Sequence, residues 1–351
     1  MDLDRIFMKN ANPTKVGGQA ILEGIMMRGA KAMAIAVRLP NDDIHLTVEP
    51  IKKHGKWTKI PVIRGVVSFI SSLVMGTDVL TYSAEVLEEA DKDNPAYKKD
   101  KLDIWIEEHF GEKAGMAIAL VLSVVLAIAM VLGIFVLLPT VIMDLFKSWG
   151  INNVILLNLI EGVLRIAMFI AYVALITLMP DIKRTFEYHG AEHKTIHCYE
   201  NGLELTPENA QQFYTLHPRC GTSFLMFVMI ISLLVFSFMG WPSLWVRLVT
   251  RLALIPVIAG LSYELLQFTG RHNNGFVKAC SLPGISLQKL TTKEPDLKQL
   301  EVAIAATNMV LPSHEDPSVE VEYWVGVKKP DGTLVKDEEA TNAYIARKNK
   351  K

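Results

Sequence analysis

The sequence has little of what marks a secreted, nucleotide-binding or nucleic-acid-binding protein. Its three cysteines are too few for a disulfide framework, and an odd number cannot all pair. They suit a reducing compartment. The formal net charge of −1 gives no overall field that would attract nucleic acid. The polar start, MDLDRIFMKN, is not a signal peptide, so we expect the amino terminus not to be exported. The glycines of GGQAILEGIMMRG have neither the G-x-G-x-x-G nor the Walker spacing and do not indicate a phosphate site.

Long uncharged apolar runs are what the sequence does have. Hydrophobic residues make up 50% of the chain, and the mean hydropathy is +0.27, more apolar than a typical soluble domain. Residues 114–143 and 220–246 contain no charged side chain, and about 20 apolar residues already form a helix that crosses the ~30 Å hydrocarbon core. We therefore predict four transmembrane helices, at about 114–139, 154–180, 222–240 and 244–268, the first of which ends before Pro139.

A further apolar segment, residues 62–90, is predicted to lie at the membrane surface rather than to cross it. Arg64 is near its start, several Ser and Thr residues interrupt its apolar part, and its end, AEVLEEAD, is acidic. Such a mixture is typical of an interfacial helix. The charged run that follows is expected to be solvated.

The distribution of Lys and Arg predicts the orientation in the membrane. Residues 1–60 contain ten of them and residues 181–219 contain four, whereas the loops after the first and third spans together contain only Lys147. The positive-inside rule then places both termini and the 181–219 segment in the cytosol of a multi-pass membrane protein. Arg247 and Arg251 lie on the wrong side for this arrangement, so Arg251 needs a partner inside the bundle.

Short β-hairpins are predicted towards both ends of the chain. MAIAVRLPNDDIHLTVEPI reads as two strands joined by a turn at residues 40–43, and VEVEYWVGVKKPDGTLV reads as a hairpin around residues 330–332. Before the second hairpin, EPDLKQLEVAIAATNMVL predicts an amphipathic helix that Pro312 ends.

The predicted fold class is therefore mainly α: a polytopic membrane helical bundle, with about four transmembrane helices plus one interfacial helix, and small cytosolic β-hairpin elements. Four regions follow: a cytosolic amino-terminal region with a hairpin (1–60), an interfacial helix and charged linker (61–113), a transmembrane bundle with a cytosolic histidine-rich loop at 181–221 (114–280), and a cytosolic tail (281–351).

The segment EYHGAEHKTIHCYENG carries the strongest candidate for chemistry. His189 and His193 lie four positions apart, on one face of a helix, and with Glu192 they form the order H-x-x-E-H. In inverzincin peptidases two such histidines hold zinc, and the glutamate acts on water at the metal. HPRCG then supplies His217 and Cys220, a second close pair of the kind that zinc sites use. These four residues are the candidate metal ligands, and Glu192 is the candidate catalytic base.

Other polar residues are candidates for supporting roles, because they are expected at the same side of the membrane: Glu23, Arg28, His197, Arg219, Glu264, Arg271 and His272. Glu264 is a candidate remote carboxylate ligand. The glycines around Glu23 fit two interpretations, either turns before a strand or close packing that brings Glu23 and Arg28 to the site. Glu161 and Arg165, four positions apart in a span, are expected to form a structural ion pair.

Three functions remain open on the residues alone. The first is a metal-dependent hydrolase at the cytosolic membrane interface, which uses Zn²⁺ or another divalent metal on a membrane protein segment or a lipid headgroup. The second is a membrane scaffold in which the four candidate ligands fill every position of a structural zinc. The third, a transporter, is the least supported, since no inverted repeat is evident. The simplest alternative to all three is a polar segment whose histidines pack beside lipid headgroups. The expected partners are the bilayer, a membrane protein or lipid substrate and a second copy of the chain, but no nucleic acid.

Four blocks, in the same order along the chain, resemble the YqhQ-like family of bacterial membrane proteins. They are VGGQAILEGIMMRG, EYHGAEHKTIHCYE, HPRCGTSF and LPGISLQKLTTKEPDLKQLEVAIAA. The resemblance runs from about Lys15 to about Leu311 and leaves the residues beyond about 315 as an extension. It implies a domain of unknown function that is labelled a predicted metal-dependent enzyme.

Overall fold

The computed structural model describes residues 12, 14–51, 60–91, 105, 111–150, 153–240, 243–272, 274–316 and 318–349, without the side chains of residues 112–120, 244 and 271. The chain divides into two compact units. The first, here called the sheet unit, consists of residues 1–90, 173–228 and 256–351. The second, the helical unit, consists of residues 91–172 and 229–255.

The helices of the described residues, in chain order, are α1 (Ile63–Asp91), α2 (Glu112–Leu132), α3 (Leu138–Ser148), α4 (Val154–Ile176), α5 (Pro180–Glu200), α6 (Pro207–Gln211), α7 (Thr222–Ser237), α8 (Leu244–Arg271), α9 (Gly275–Thr291), α10 (Leu297–Glu315) and α11 (Glu338–Asn349). A π-helical turn, Gly133–Leu137, joins α2 to α3.

Within the described residues, the sheet unit is built around one antiparallel sheet of six strands that lie side by side in chain order. They are β1 (Gly17–Ile21), β2 (Gly24–Arg28), β3 (Ala32–Arg38), β4 (Ile44–Pro50), β5 (Trp324–Lys328) and β6 (Leu334–Lys336). Both predicted hairpins are confirmed, as β3–β4 and β5–β6. They belong to one sheet because β4 pairs with β5. The glycine-rich segment, which the sequence left as turns or close packing, forms β1 and β2.

Both faces of this sheet are covered by helices, because successive residues of a strand point to opposite sides. On one face, Met27 lies in an apolar cluster with Leu300 and other residues of α5 and α10. On the other face, Met26 packs in a cluster with Tyr82 of α1 and Tyr344 of α11. Helix α5 is therefore held directly against β1 and β2.

Four helices among the described residues are long and apolar enough to cross a membrane: Ile63–Asp91, Val121–Ser148, Val154–Ile176 and Trp245–Gly270. With the small sheet, they make the protein a mainly helical, polytopic membrane protein, as predicted. Two expectations for charged residues inside the spans are also confirmed. Glu161 pairs with Arg165, and Arg251 finds its partner in the same carboxylate.

The first predicted span does not end before Pro139. The helical path continues from α2 through the π turn into α3 and ends at Ser148. A proline lacks the N–H of a regular helical bond and clashes with the carbonyl group four residues earlier. The wider π turn just before Pro139 changes that local register, so that the proline falls in the first turn of α3.

Helix α7 departs from the prediction in length, whereas α1 matches the predicted segment 62–90. Helix α7 has 16 residues, or ~24 Å, and is shorter than the span expected at 222–240. Helix α1 is long enough to span, but its second half packs on the sheet through Tyr82, and Asp78 pairs with Arg347 of α11. The part of α1 before residue 76 is only ~20 Å long, which is less than the ~30 Å hydrocarbon core. The location of α1 at the membrane surface stays a prediction.

The segment predicted as a histidine-rich loop is mostly helix, since α5 and α6 occupy residues 180–200 and 207–211. The helix that the spacing of His189 and His193 indicates thus covers most of this segment, and its polar residues are buried on several sides instead of forming one apolar stripe. Helix α10 passes Pro312 and ends at Glu315, so the proline lies in the last turn of the helix instead of stopping it. Helix α11 was not predicted.

Candidate metal centre

Helix α5 carries the histidine-rich segment and is buried from Gly190 to Cys198. His189, His193 and His197 recur every four residues, so they share one side of the helix. The ring centroids of His189 and His193 are 4.5 Å apart. Gly190 allows the helix to lie close to the segment after α9, since a Cβ at this position would be 2.0 Å from the carbonyl oxygen of Lys293.

Three of the predicted ligands, His189, His193 and Cys220, form what we call the first cluster. Their ligand atoms all lie within 4.8 Å of one another, and the Nε2 of His189 is 3.2 Å from the Sγ of Cys220. Each histidine Nδ1 contacts a backbone carbonyl oxygen, that of Thr291 for His189 and that of Thr215 for His193. A carbonyl oxygen can only accept, so each Nδ1 carries the proton and each Nε2 keeps its lone pair for the cluster.

The surroundings of His193 suit a metal ligand. Its Nε2 is buried and has no hydrogen-bond partner among the described residues, a condition that costs ~1–3 kcal/mol. A bound ion would satisfy this atom. Burial also lowers the pKa of His193 to about 4, so the ring is neutral at pH 7, as a metal ligand must be. The residues of the first cluster therefore fit a metal ion.

Gln288 of α9 holds the loop that delivers Cys220. The backbone N–H of His217 donates to the Oε1 of Gln288 at 2.8 Å, and the Nε2 of Gln288 donates to the carbonyl oxygen of His217 at 2.9 Å. Gln288 is completely buried. Sequence reasoning did not find it, because its partner is 71 positions away and no local motif marks it.

A second cluster consists of His197, Glu200 and His217, whose ligand atoms also lie within 4.8 Å of one another. Arg219 already occupies this place: it donates to both carboxylate oxygens of Glu200 and lies 3.3 Å from the Nε2 of His217. A guanidinium repels a cation strongly in a buried setting. Burial lowers the pKa of His197 and of His217, so both rings are neutral. The second cluster is therefore an ion-paired support beside the first one.

Glu192 is buried, is not part of either cluster, and accepts a hydrogen bond from the backbone N–H of Gly18 at 2.7 Å. Burial raises the pKa of its carboxyl group. A cavity of about 530 Å³ is lined by Glu192 and Gly18 together with His193 and Cys220. A carboxyl group and a cluster suited to a metal thus face the same space.

The supporting candidates divide into two sets. His197 and Arg219 join the second cluster. The others lie elsewhere: Glu23 pairs with Arg184, Glu264 pairs with Arg64, Arg28 contacts the sulfur of Met75, and the exposed His272 contacts the carbonyl oxygen of Phe268. The side chain of Arg271 lies outside the described part of the chain.

Comparisons with known proteins agree with the resemblance seen in the sequence. A family model described as "Protein of unknown function (DUF1385)" matches residues 60–313. The chain belongs to this family. It is also 34% identical over 311 residues to "Uncharacterized protein YqhQ" of Bacillus subtilis (strain 168). The aligned region covers 86% of this chain and 94% of that protein. No solved structure matches the chain. Both clusters of the DUF1385 chain lie inside the matched region, whereas Gly18 precedes it.

Proposed function

We propose that this protein is a metal-dependent hydrolase that holds its ion with His189, His193 and Cys220. The proposal rests on the first cluster, in which two Nδ1–H groups are bound by backbone carbonyls while both Nε2 atoms and a sulfur converge. Three protein ligands leave one tetrahedral position open, as in catalytic rather than structural zinc sites. The cavity beside His193 and Cys220 gives a substrate access to that position.

Zinc is the ion that this ligand set favours. Two imidazole nitrogens and a thiolate suit Zn²⁺, whereas Mg²⁺ and Ca²⁺ prefer oxygen ligands. When bound, such an ion lowers the pKa of a water in its open position towards 7 and polarises a substrate oxygen.

Glu192 acts as the base in this proposal. It lines the cavity but is not a ligand, so its carboxylate is free to take a proton from water and to pass it to the leaving group. Burial raises the pKa of Glu192, and a carboxyl group with a raised pKa serves better in both steps. The N–H of Gly18 fixes one carboxylate oxygen and thereby orients the group.

We also propose that the substrate reaches the site along the membrane surface. Leu266, Gln267 and Gly270 line the cavity, and they lie in the last turns of α8, a helix able to cross a membrane. A membrane protein segment or a lipid headgroup would be available at such a place. The Lys and Arg distribution supports a position on the cytosolic side.

A scaffold with a structural zinc has less support. It requires His217 as the fourth ligand, but His217 lies in the second cluster, beside Arg219. Its ring centroid is 5.4 Å from that of His193.

Metal analysis combined with complementation tests the hydrolase proposal. We expect purified His193→Ala protein to lose the ion that wild-type protein retains. We expect Glu192→Gln to keep the ion and the fold, but not to complement a strain that lacks the gene, because the amide is not a base. His272→Ala, an exposed histidine outside both clusters, is the matched control and should behave like wild type.

Two results would contradict the proposal. If Glu192→Gln complements fully while His193→Ala does not, the ion is structural and the protein is a scaffold. If wild-type protein binds no ion and both variants complement, the segment is a polar stretch without a metal.

A further inference from the structure

The helical unit contains a cavity of about 470 Å³, which is within the ~300–1,000 Å³ range of small-molecule sites. Its lining is mostly apolar and aromatic and includes Met130, Phe135 and Phe169. The charged residues of this lining are Glu161, Arg165 and Arg251. Two guanidinium groups thus face one carboxylate, which leaves one positive charge in excess.

Glu161 is shared by two guanidinium groups, and its single negative charge can neutralise only one of them. Arg251 binds both of its oxygens, and the Oγ1 of Thr140 donates to Oε1 at 2.9 Å. Glu161 and Arg251 are 1% and 6% exposed, so water does not offset their charges. Arg165 adds only one bond to this carboxylate, from Nη2 at 2.7 Å. Glu161 and Arg251 therefore form the neutral pair, and Arg165 carries the excess charge.

Arg165 also has an unused donor. Its Nε is buried and has no hydrogen-bond partner among the described residues. An unpaired buried donor is unfavourable, and an uncompensated charge among apolar side chains is more so.

The remaining lining indicates the chemistry of an occupant. Most of the cavity wall is apolar, so a small hydrophilic anion would leave that wall without a partner. Asn158, which is 2% exposed, adds a buried Oδ1 without a partner among the described residues. This oxygen could accept a hydrogen bond from a hydroxyl group of a ligand.

We propose that this cavity binds an anionic amphiphile, with Arg165 recognising the acidic head and the apolar wall enclosing an acyl chain. A fatty acid and an acidic phospholipid share this chemistry. Helices that cross a membrane are in contact with both. The proposal is independent of the metal centre, because none of its residues belongs to either histidine cluster.

Ligand titration followed by native mass spectrometry, on the full chain in a neutral detergent, tests this inference. The probes are oleate, dioleoyl phosphatidic acid, neutral monoolein and acetate. We expect one oleate or one phosphatidic acid per chain, bound at least tenfold more tightly than monoolein. Acetate in hundredfold excess should not displace either. Whichever of the two acidic probes binds more tightly shows whether the acidic head belongs to a fatty acid or to a phospholipid.

Three variants separate charge from shape. Arg165→Gln keeps the Glu161–Arg251 pair, and it should weaken oleate binding at least tenfold while monoolein binding is unchanged. Lys147→Gln makes the same charge change outside the cavity lining and should have no effect. Ala127→Phe narrows the cavity without touching a charge, and it should weaken both oleate and monoolein, so it tests the site even if Arg165→Gln does not fold.

The proposal fails if wild-type protein binds oleate and monoolein equally, or if Arg165→Gln folds and binds oleate as wild type does. Either result would make the three charged residues a purely structural group. Displacement of oleate by acetate at equal concentration would show a small-anion site and would also refute the amphiphile.

Discussion

Two adjacent glycines of β1 provide a matched test of how the amino-terminal strand supports Glu192. A Cβ added at Gly18 would lie 2.5 Å from the carbonyl oxygen of Met26 and 2.6 Å from the Sδ of Met27. A Cβ added at Gly17 meets no described atom within 4 Å. The substitutions Gly18→Ala and Gly17→Ala therefore add the same methyl group at neighbouring positions with opposite expected effects.

The magnitude follows from the crowding and from one hydrogen bond. The contact with the Met26 oxygen falls about 0.9 Å short of the 3.4 Å at which ordinary contact begins, and overpacking of this kind costs ~1–3 kcal/mol. A shift of β1 that relieves this crowding also moves the Gly18 N–H away from the Glu192 carboxylate. A hydrogen bond to a charged group contributes ~1.5–3 kcal/mol to stability. We expect Gly18→Ala to lower the free energy of unfolding by about 3–5 kcal/mol, which corresponds to a decrease of roughly 5–10 °C in Tm. Gly17→Ala should change stability by less than ~1 kcal/mol.

The assay is thermal unfolding of the purified variants, followed by a double-mutant cycle with Glu192→Ala. Because Gly18 and Glu192 are hydrogen-bonded, their separate losses should not add, and the coupling should be at least ~1 kcal/mol. Gly18→Ala should also fail to complement, whereas Gly17→Ala should complement. Equal Tm values for the two glycine variants, or additive losses in the cycle, would refute the contact between β1 and Glu192.

Three further predictions concern topology and pH. Reporter fusions at residue 351 and in the 145–150 loop should report opposite sides of the membrane, and the same side for both would contradict the predicted orientation. Cysteines introduced at Lys31 and at Lys98 should both resist labelling from outside intact cells, whereas labelling at Lys31 alone would show that α1 crosses the bilayer. Burial lowers the pKa of His45 to about 4, against about 6.5 in an unfolded chain. Folding therefore favours the neutral form of His45. The free energy of unfolding should be highest above pH 6.5 and should fall by up to about 3 kcal/mol as the pH drops from 6.5 towards 4. His45→Gln should reduce this loss, measured as the Tm difference between pH 7 and pH 5, and an unchanged difference would show that His45 does not contribute.

Much of the membrane part could be predicted because its signals are local. A run of uncharged apolar residues indicates a spanning helix wherever it lies in a fold, since the bilayer sets the length. The two hairpins were also readable, because alternating residues and turn residues act over a few positions. The differences concern the extent of elements: a π turn carries the first span past Pro139, and α5 extends the helix indicated by the paired histidines over most of the segment described as a loop.

The sequence by itself determined the residue types of the candidate centre, but the tertiary structure decided which of them lie together. The helical spacing of His189 and His193 follows from the backbone geometry alone. Cys220 instead of His217 lies in one cluster with them, and the loop that carries both residues is held by Gln288 of α9, 71 positions from His217. The bond between Gly18 and Glu192 joins residues 174 positions apart. Such pairings leave no periodic mark in the sequence, because they depend on which surfaces pack together after the local elements have formed.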